Sequence, residues 1–303
     1  MKTTKSPANE RGTVKSFAAS LTGRVRLAQA TLAAILFAIS VVSSPADLYT
    51  ISARDTSLQI DTAGGLSQWL VDGVNQLNEQ SFFYSIGSGA AASIYTIGLA
   101  SAPTLTTNIS KTIISLSTSY SDSTISVGTL FSLQSQPVGS GKATLASTLT
   151  INNLSATAQV FHFYQYSDFD LGGVSGGQNI QFSSNGSGQP YQVVQTDAFG
   201  RSLTGLITGV TGGTSAQTEV QAGYYDGTRF GLGGGGAVTL NNTFTAGPGD
   251  VVYAYEWDAT LAPGSSLTIS ETQSVVVPEP SSLALGMSGV LALAWFRRRQ
   301  RGG

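Results

Sequence analysis

Residues 249–270 read GDVVYAYEWDATLAPGSSLTIS, and this stretch decides the class of fold. Valine, tyrosine and tryptophan dominate its first half, which predicts a strand over residues 251–257. Pro263-Gly264 then predicts a turn. The alternating segment 266–276 predicts a second strand. Short strands separated by turns are typical of an all-β body with antiparallel sheets.

The same order of strand and turn continues through the centre of the chain. Asp72-Gly73 between short apolar runs is a strong hairpin pattern, and Gly172-Gly173, Gly212-Gly213 and Asp226-Gly227 also predict turns. Further predicted strands cover residues 81–86, 112–118, 124–133, 143–152, 158–166, 189–195 and 217–225. Residues 185–188, 209–215 and 231–236 are predicted to form flexible loops, and no central segment has the pattern of an amphipathic helix. We therefore predict an all-β, antiparallel β-sandwich or jelly-roll-like body, with a larger supersandwich as the alternative.

Charge and cysteine content narrow the functions open to this body, residues 47–276. The chain has no cysteine, so a disulfide framework is excluded. Between residues 47 and 276, five basic residues stand against 15 acidic ones. A nucleic-acid-binding surface needs the opposite balance, so we expect no nucleic-acid partner.

The N-terminus has the layout of a secretory signal peptide. Residues 1–26 are basic, residues 27–42 are mostly apolar, and Ser44-Pro45-Ala46 supplies small residues at a cleavage site. We predict a signal helix within residues 1–46 that signal peptidase removes after Ala46. An uncleaved membrane anchor is the alternative.

The C-terminus has the layout of a membrane anchor. Residues 281–296 form an uncharged run of 16 residues, and Arg297, Arg298, Arg299 and Arg301 follow it. A helix of this length covers about 24 Å, slightly less than a hydrocarbon core of about 30 Å. Arginines can extend a short span by reaching the headgroups, and they favour the cytoplasmic side. We predict a transmembrane helix over residues 281–296, with a buried core helix as the alternative.

The tail as a whole resembles a PEP-CTERM sorting signal. The resemblance rests on Pro278, Glu279 and Pro280, on the apolar run, and on Arg297, Arg298 and Arg299, in that order within residues 277–303. It implies recognition by an exosortase, anchoring in the inner membrane during transit, and final placement at the cell surface or outside the cell. It also implies a link to exopolysaccharide and biofilm. It implies nothing about the body, because unrelated domains carry the same tail.

Few residue types suited to catalysis are present. His162 is the only histidine, within the predicted strand 158–166. It could act as a general base, but the simpler interpretation is a strand residue facing away from Phe161 and Phe163. Zinc sites and cysteine nucleophiles lack their usual ligands, and the glycine-rich stretch 231–236 lacks the lysine of a phosphate-binding loop. We therefore predict no catalytic residues and no enzymatic activity.

Two binding hypotheses remain. Asp168 and Asp170, followed by Gly172-Gly173, could supply oxygen ligands to Ca²⁺, although a solvated turn explains the pattern equally well. Tyr224, Tyr225, Tyr253, Tyr255 and Trp257 could form a sugar-stacking platform, although at least part of the last three should be core. The leading hypothesis is a structural or adhesive protein of the surface or extracellular matrix. A carbohydrate-binding module is the alternative, and a carbohydrate-active enzyme comes third.

Overall fold

The chain folds as two antiparallel sheets of nine strands each. The computed structural model describes residues 47–278, except for the side chains of residues 215–217, 226 and 230. All described residues belong to one compact unit of the chain. The predicted all-β, sandwich-like fold is confirmed. Each sheet has nine strands, which is more than the eight strands that a whole jelly roll contains.

The first sheet, sheet A, contains the N-terminal strands. In spatial order it consists of β1 (Leu48–Ala53), β2 (Thr56–Asp61), β3 (Gly65–Val71), β5 (Glu79–Ile86), β11 (Gln159–Asp168), β17 (Val251–Leu261) and β15 (Thr214–Tyr224). Two short strands lie off this path: β4 (Val74–Asn75) pairs with β3, and β6 (Ala92–Ser93) pairs with β5. A 3₁₀ turn, Ile94–Thr96, follows β6.

The second sheet, sheet B, is built mainly from the middle of the chain. In spatial order it consists of β16 (Thr245–Gly249), β12 (Gln178–Ser184), β13 (Pro190–Asp197), β14 (Ser202–Gly212), β18 (Ser266–Val276), β10 (Lys142–Asn153), β9 (Ile125–Ser135), β8 (Ile113–Ser121) and β7 (Thr104–Thr107). Helix α1 (Tyr225–Gly233) connects β15 to the segment before β16.

The main core lies between the two sheets. Alternate residues of β10 and β18 are buried, because successive side chains of a strand point to opposite faces. Aromatic rings join the sheets: Phe182 of β12 lies 5.3 Å from Tyr255 of β17, and Tyr255 stacks on Trp257 at 5.4 Å between ring centroids. Edge-to-face and offset pairs of this kind add stability beyond their buried area.

The centre of sheet A is also covered on its other face, which we call the outer face. Tyr164, Tyr166 and Ala254 are buried there against Leu232 of α1 and Leu240 of the following loop. This double burial explains why β17 is apolar at both parities over residues 251–255. The cover formed by α1 and residues 234–240 ends beside Glu256, and this edge positions the candidate site.

Every strand predicted from the sequence overlaps an observed one, but three local predictions are wrong. Residues 209–212 were expected in a flexible loop and instead complete β14, which pairs with β18. The turn expected at Asp226-Gly227 lies inside helix α1, and residues 231–233 of the expected glycine-rich loop are its last turn. Glycine has a low propensity for both strand and helix. Pairing with β18 stabilises the end of β14, and burial of Leu232 stabilises the end of α1.

The predicted terminal helices fall outside the described residues. This applies to the signal peptide, residues 1–46, and to the transmembrane helix, residues 281–296. In the described part of the chain, no helix has the length and apolar character needed to span a membrane.

Candidate functional site

Four titratable side chains meet on the outer face of sheet A, at the edge of the α1 cover. They are His162 of β11, Glu219 of β15, and Glu256 and Asp258 of β17. Strand register places His162 opposite Asp258, and Glu219 opposite Glu256. We call these four residues the acid–histidine cluster. His162 faces away from Phe161 and Phe163, as predicted.

His162 stands at the centre of the cluster. Its Nδ1 lies 2.5 Å from Oδ1 of Asp258 and 3.4 Å from Oε1 of Glu256. The backbone N–H of Leu240 donates a hydrogen bond of 2.7 Å to Oε2 of Glu256. Within the described part of the chain, no group hydrogen-bonds to Nε2 of His162. The imidazole is therefore held through Nδ1, and Nε2 is the nitrogen that can contact a ligand.

Burial raises the pKa values of two carboxyl groups of the cluster. The side chains of His162 and Asp258 are 23% and 30% exposed, whereas that of Glu256 is 1% exposed. The pKa of Glu256 is raised to about 7, mainly by burial and also by the charges of Asp258 and Glu219, while the Leu240 N–H and His162 oppose the shift. Burial, followed by the charge of Asp258, also raises the pKa of Glu219.

This arrangement suits proton transfer near neutral pH. A carboxyl group whose pKa is close to the working pH can both accept and release a proton. A histidine held through one nitrogen by a carboxylate presents its other nitrogen in a fixed orientation, as in hydrolytic triads. The cluster could also hold a metal ion, because His162, Glu256 and Asp258 each offer a ligand atom within 4.8 Å of the others.

Sequence reasoning missed the acids of this cluster. Glu256 and Asp258 flank Trp257 in an otherwise apolar strand, and two acids at one parity of such a strand were the available signal. Their nearness to His162 depends on the register of β11 against β17, which lies 96 residues away in the chain. Such long-range pairing has no local pattern.

A second acidic group surrounds the end of β11. Carboxylate oxygens of Asp168, Asp170 and Asp250 all lie within 4.8 Å of one another. The structure thus brings together the two aspartates singled out in the sequence and adds a third from the connection between β16 and β17. Asp168 and His162 lie on the same face of β11, six residues or about 20 Å apart.

The aromatic residues considered for sugar stacking separate into two groups. Tyr253, Tyr255 and Trp257 are fully buried in the core, whereas Tyr224 is 54% exposed. The Tyr224 ring lies against Gly249, where a Cβ would come within 2.8 Å of it. It lines a groove of about 600 Å³ with the neutral polar side chains Asn179, Gln181, Thr196, Thr243 and Thr245.

The processing residues lie at and beyond the end of the described chain. Pro278 is exposed and comes two residues after the end of β18. Ala46, Glu279, Pro280, Arg297, Arg298 and Arg299 fall outside the described residues.

Comparison with known proteins identifies the tail. Residues 276–299 match the family described as the PEP-CTERM protein-sorting motif. The chain is therefore an exported β-sandwich protein with a signal for sorting to the cell surface. The motif marks it as an exosortase substrate, as the resemblance implied. No curated protein matches the sequence.

Solved structures are similar to this chain at very low sequence identity. Part of a bacterial glucoamylase, solved in complex with acarbose, has a TM-score of 0.50 at 9% identity over 82% of this chain. The match spans only 36% of the glucoamylase, about a third of its length. A protein from Synechocystis sp. PCC 6803 has a TM-score of 0.46 at 12% identity over 80% of this chain and 99% of its own. A galactose mutarotase related enzyme from Lactobacillus acidophilus has a TM-score of 0.41 at 8% identity, over 77% and 99% of the two chains.

These comparisons correct one prediction. The scarcity of histidine and the lack of cysteine led us to expect a body without enzymatic activity. That prediction is wrong, because an enzyme, the bacterial glucoamylase, contains a region of the same fold. Composition alone cannot exclude acid–base chemistry, which needs only carboxyl groups and one histidine.

Proposed function

We propose that the exported body is a carbohydrate-active protein that transfers protons at a saccharide hydroxyl through the acid–histidine cluster. The observation that carries this proposal is the arrangement of His162 between Asp258 and the buried Glu256. Sorting to the cell surface and the fold shared with part of a glucoamylase bound to acarbose support carbohydrate as the substrate class.

Each member of the cluster has a distinct role in this proposal. His162 is the catalytic residue, because its partly exposed ring can contact a ligand through Nε2. Asp258, opposite it on β17, orients the ring and stabilises the imidazolium that forms when a hydroxyl proton is taken up. Glu256 is too buried to touch a substrate, so it is a positioning residue that shares the proton with His162.

The direct test is ¹H NMR of anomeric protons in neutral oligosaccharides mixed with the purified full-length chain. We expect hydrolysis or accelerated anomer interconversion of at least one saccharide. The His162→Gln variant should lose about 10²–10⁴-fold in rate, the usual contribution of general acid–base catalysis. Asp122→Asn is the matched control, because this exposed side chain only accepts N–H bonds from residues 124 and 125, which asparagine can keep.

Two results of the same experiment decide against the proposal. One is the absence of turnover, and the other is turnover that His162→Gln leaves unchanged. Binding without turnover, abolished by Tyr224→Ala, would favour the carbohydrate-binding alternative at the groove. That alternative is supported by the exposed Tyr224 ring and the neutral amide and hydroxyl lining, which suit uncharged sugars.

We further propose the route that delivers the body to the surface. Signal peptidase removes residues 1–46, the helix 281–296 holds the chain in the inner membrane, and exosortase cuts near Pro278-Glu279-Pro280. The matched sorting motif supports this route. A contribution to biofilm and exopolysaccharide, whether adhesive or enzymatic, remains a hypothesis from the resemblance of the tail.

A further inference from the structure

We propose that Asp168, Asp170 and Asp250 bind a divalent cation of the oxygen-seeking class, with Ca²⁺ as the ion. This site is separate from the acid–histidine cluster, and the inference does not depend on the saccharide chemistry proposed above.

The geometry brings three carboxylates to one point. Asp168 is the last residue of β11, Asp170 follows two positions later, and Asp250 separates β16 from β17. One oxygen of each lies within 4.8 Å of the others. Ca²⁺ binds oxygen ligands at about 2.3–2.6 Å, so a cation between oxygens at such separations can contact all three.

An independent feature points to a missing partner at this place. Asp168 is only 1% exposed. Its Oδ2 accepts a hydrogen bond of 2.9 Å from the Asn78 side chain, whereas its buried Oδ1 has no hydrogen-bond partner. A buried carboxylate oxygen without a partner is strongly destabilising, and a cation would remove that penalty.

The electrostatic surroundings favour a cation as that partner. Burial is the largest cause that raises the pKa of Asp168 to about 7; the charges of Asp170 and Asp250 add to it, and the hydrogen bond from Asn78 opposes it. Burial and Asp250 likewise raise the pKa of Asp170. Burial is the largest cause of both shifts, and the repulsion between the carboxylates adds to it; a bound divalent ion would offset that repulsion.

Among the described residues, no arginine neutralises Asp168 or Asp170. Arg229 is engaged with Glu79, its Nη2 lying 3.0 Å from Oε1 and its Nε donating to Oε2 at 3.1 Å. Of the residues that the structure describes, no lysine or arginine lies within ion-pair distance of Asp168 or Asp170. The neighbouring acid is paired, and these two aspartates are left for a cation.

The bound ion has a structural consequence. It would fasten the end of β11 to the connection between β16 and β17, two parts of the chain more than 80 residues apart. Three protein carboxylates leave room for water or carbonyl oxygens, which usually complete the six to eight ligands of Ca²⁺.

Equilibrium dialysis of the purified full-length chain against Ca²⁺, after treatment with EDTA, tests the proposal. We expect one Ca²⁺ per chain, with a Kd of roughly 10⁻⁴–10⁻³ M, as in extracellular modules. Ca²⁺ should also raise the Tm, because a ligand that binds only the folded state stabilises it. Asp170→Asn and Asp250→Asn should each weaken binding at least tenfold, and Asp122→Asn should bind as the wild type does.

Asp168→Asn separates the cation from a merely strained carboxyl group. This variant removes the buried charge, so its Tm in EDTA should equal or exceed that of the wild type, while the Ca²⁺-dependent rise in Tm disappears. The proposal is overturned if Ca²⁺ at about 10 mM, ten times the weakest expected Kd, does not saturate a site. It is also overturned if Asp170→Asn and Asp250→Asn bind as tightly as the wild type, or if only Mg²⁺ binds. Asp170 and Asp250 are more exposed than Asp168, so their variants keep the test valid if Asp168→Asn does not fold.

Discussion

At the scale of single residues, Glu271 shows how far the core departs from an apolar interior. It occupies a core-facing position of β18, where it is 1% exposed. Its Oε2 accepts a hydrogen bond of 2.7 Å from Gln165, while Oε1 has no hydrogen-bond partner. Burial raises the pKa of Glu271 to about 7, although the hydrogen bond from Gln165 and the nearby amide of Gln273 oppose the shift.

Replacing this carboxyl group should stabilise the protein at alkaline pH. The folded-state pKa of Glu271 lies above its ordinary value of 4.5, so the folded state binds the proton more tightly than the unfolded state does. The free energy of unfolding therefore falls as pH rises from about 4.5 to about 7. Glu271→Gln removes this loss and should be more stable than the wild type by about 1–3 kcal/mol at pH 8, but not at pH 5.

Urea unfolding of both proteins at pH 5 and pH 8 measures the difference. The exposed substitution Asp122→Asn serves as the control. Its free energy of unfolding should not diverge from that of the wild type as pH rises. Equal stability of wild type and Glu271→Gln at pH 8 would show that the carboxyl group is solvated in the folded protein.

At the scale of residues, the sequence predicted which way a side chain points along its strand. It did not predict which side chains from different strands come into contact. Alternation placed His162 opposite Phe161 and Phe163, because parity along a strand is local information. The pairing of His162 with Asp258 was not predictable, since it depends on which strands become neighbours. The aspartates 168 and 170 were found because they adjoin each other in sequence, and Asp250 was missed for the opposite reason.

At the scale of elements, local chemistry decided which parts of the fold could be predicted. The hairpin at Asp72-Gly73 is confirmed, with φ of 49° at Asp72 and 78° at Gly73. Positive φ at both central residues defines the type of hairpin turn whose twist matches that of the paired strands. Strand β14 and helix α1 were missed because their glycines suggested loops, while sheet pairing and the burial of Leu232 stabilise them.

Gly73→Ala should therefore destabilise the protein without a steric clash. A Cβ at this position meets nothing within 4 Å, so the effect comes only from the left-handed backbone conformation. We expect a loss of about 1–2 kcal/mol in the free energy of unfolding, measured with urea.

Gly186→Ala is the matched control for this substitution. A Cβ there also meets nothing within 4 Å, but φ is outside the positive range, so the stability should be almost unchanged. Equal losses in the two variants would show that the conformation of Gly73 is not the cause.

At the scale of the whole molecule, the sequence predicted destination better than activity. The sorting motif is contiguous and lies within residues 276–299, so it could be recognised without a fold. The acid–histidine cluster is assembled from three strands of sheet A, and only the folded chain reveals it. The wrong prediction of a body without enzymatic activity arose from counting residue types instead of locating them.

Processing at both ends should be visible in the mass of the mature protein. We expect mass spectrometry of material recovered from the cell surface or medium to show loss of residues 1–46 and an end near Pro278. Glu279→Gln should leave the tail attached, because the motif is the part that exosortase recognises. A surface protein with an intact residue 1 or an intact arginine cluster would contradict the proposed route.

The pH dependence of saccharide turnover tests the central claim most directly. Glu256, His162, Asp258 and Glu219 face one another, and the pKa of Glu256 is about 7. For a saccharide that the wild type turns over, kcat/KM should rise with pH through about 7 as the cluster loses a proton. Glu256→Gln should lose that rise while keeping the fold. The same rise in Glu256→Gln, or no turnover of any saccharide by the wild type, would contradict the account.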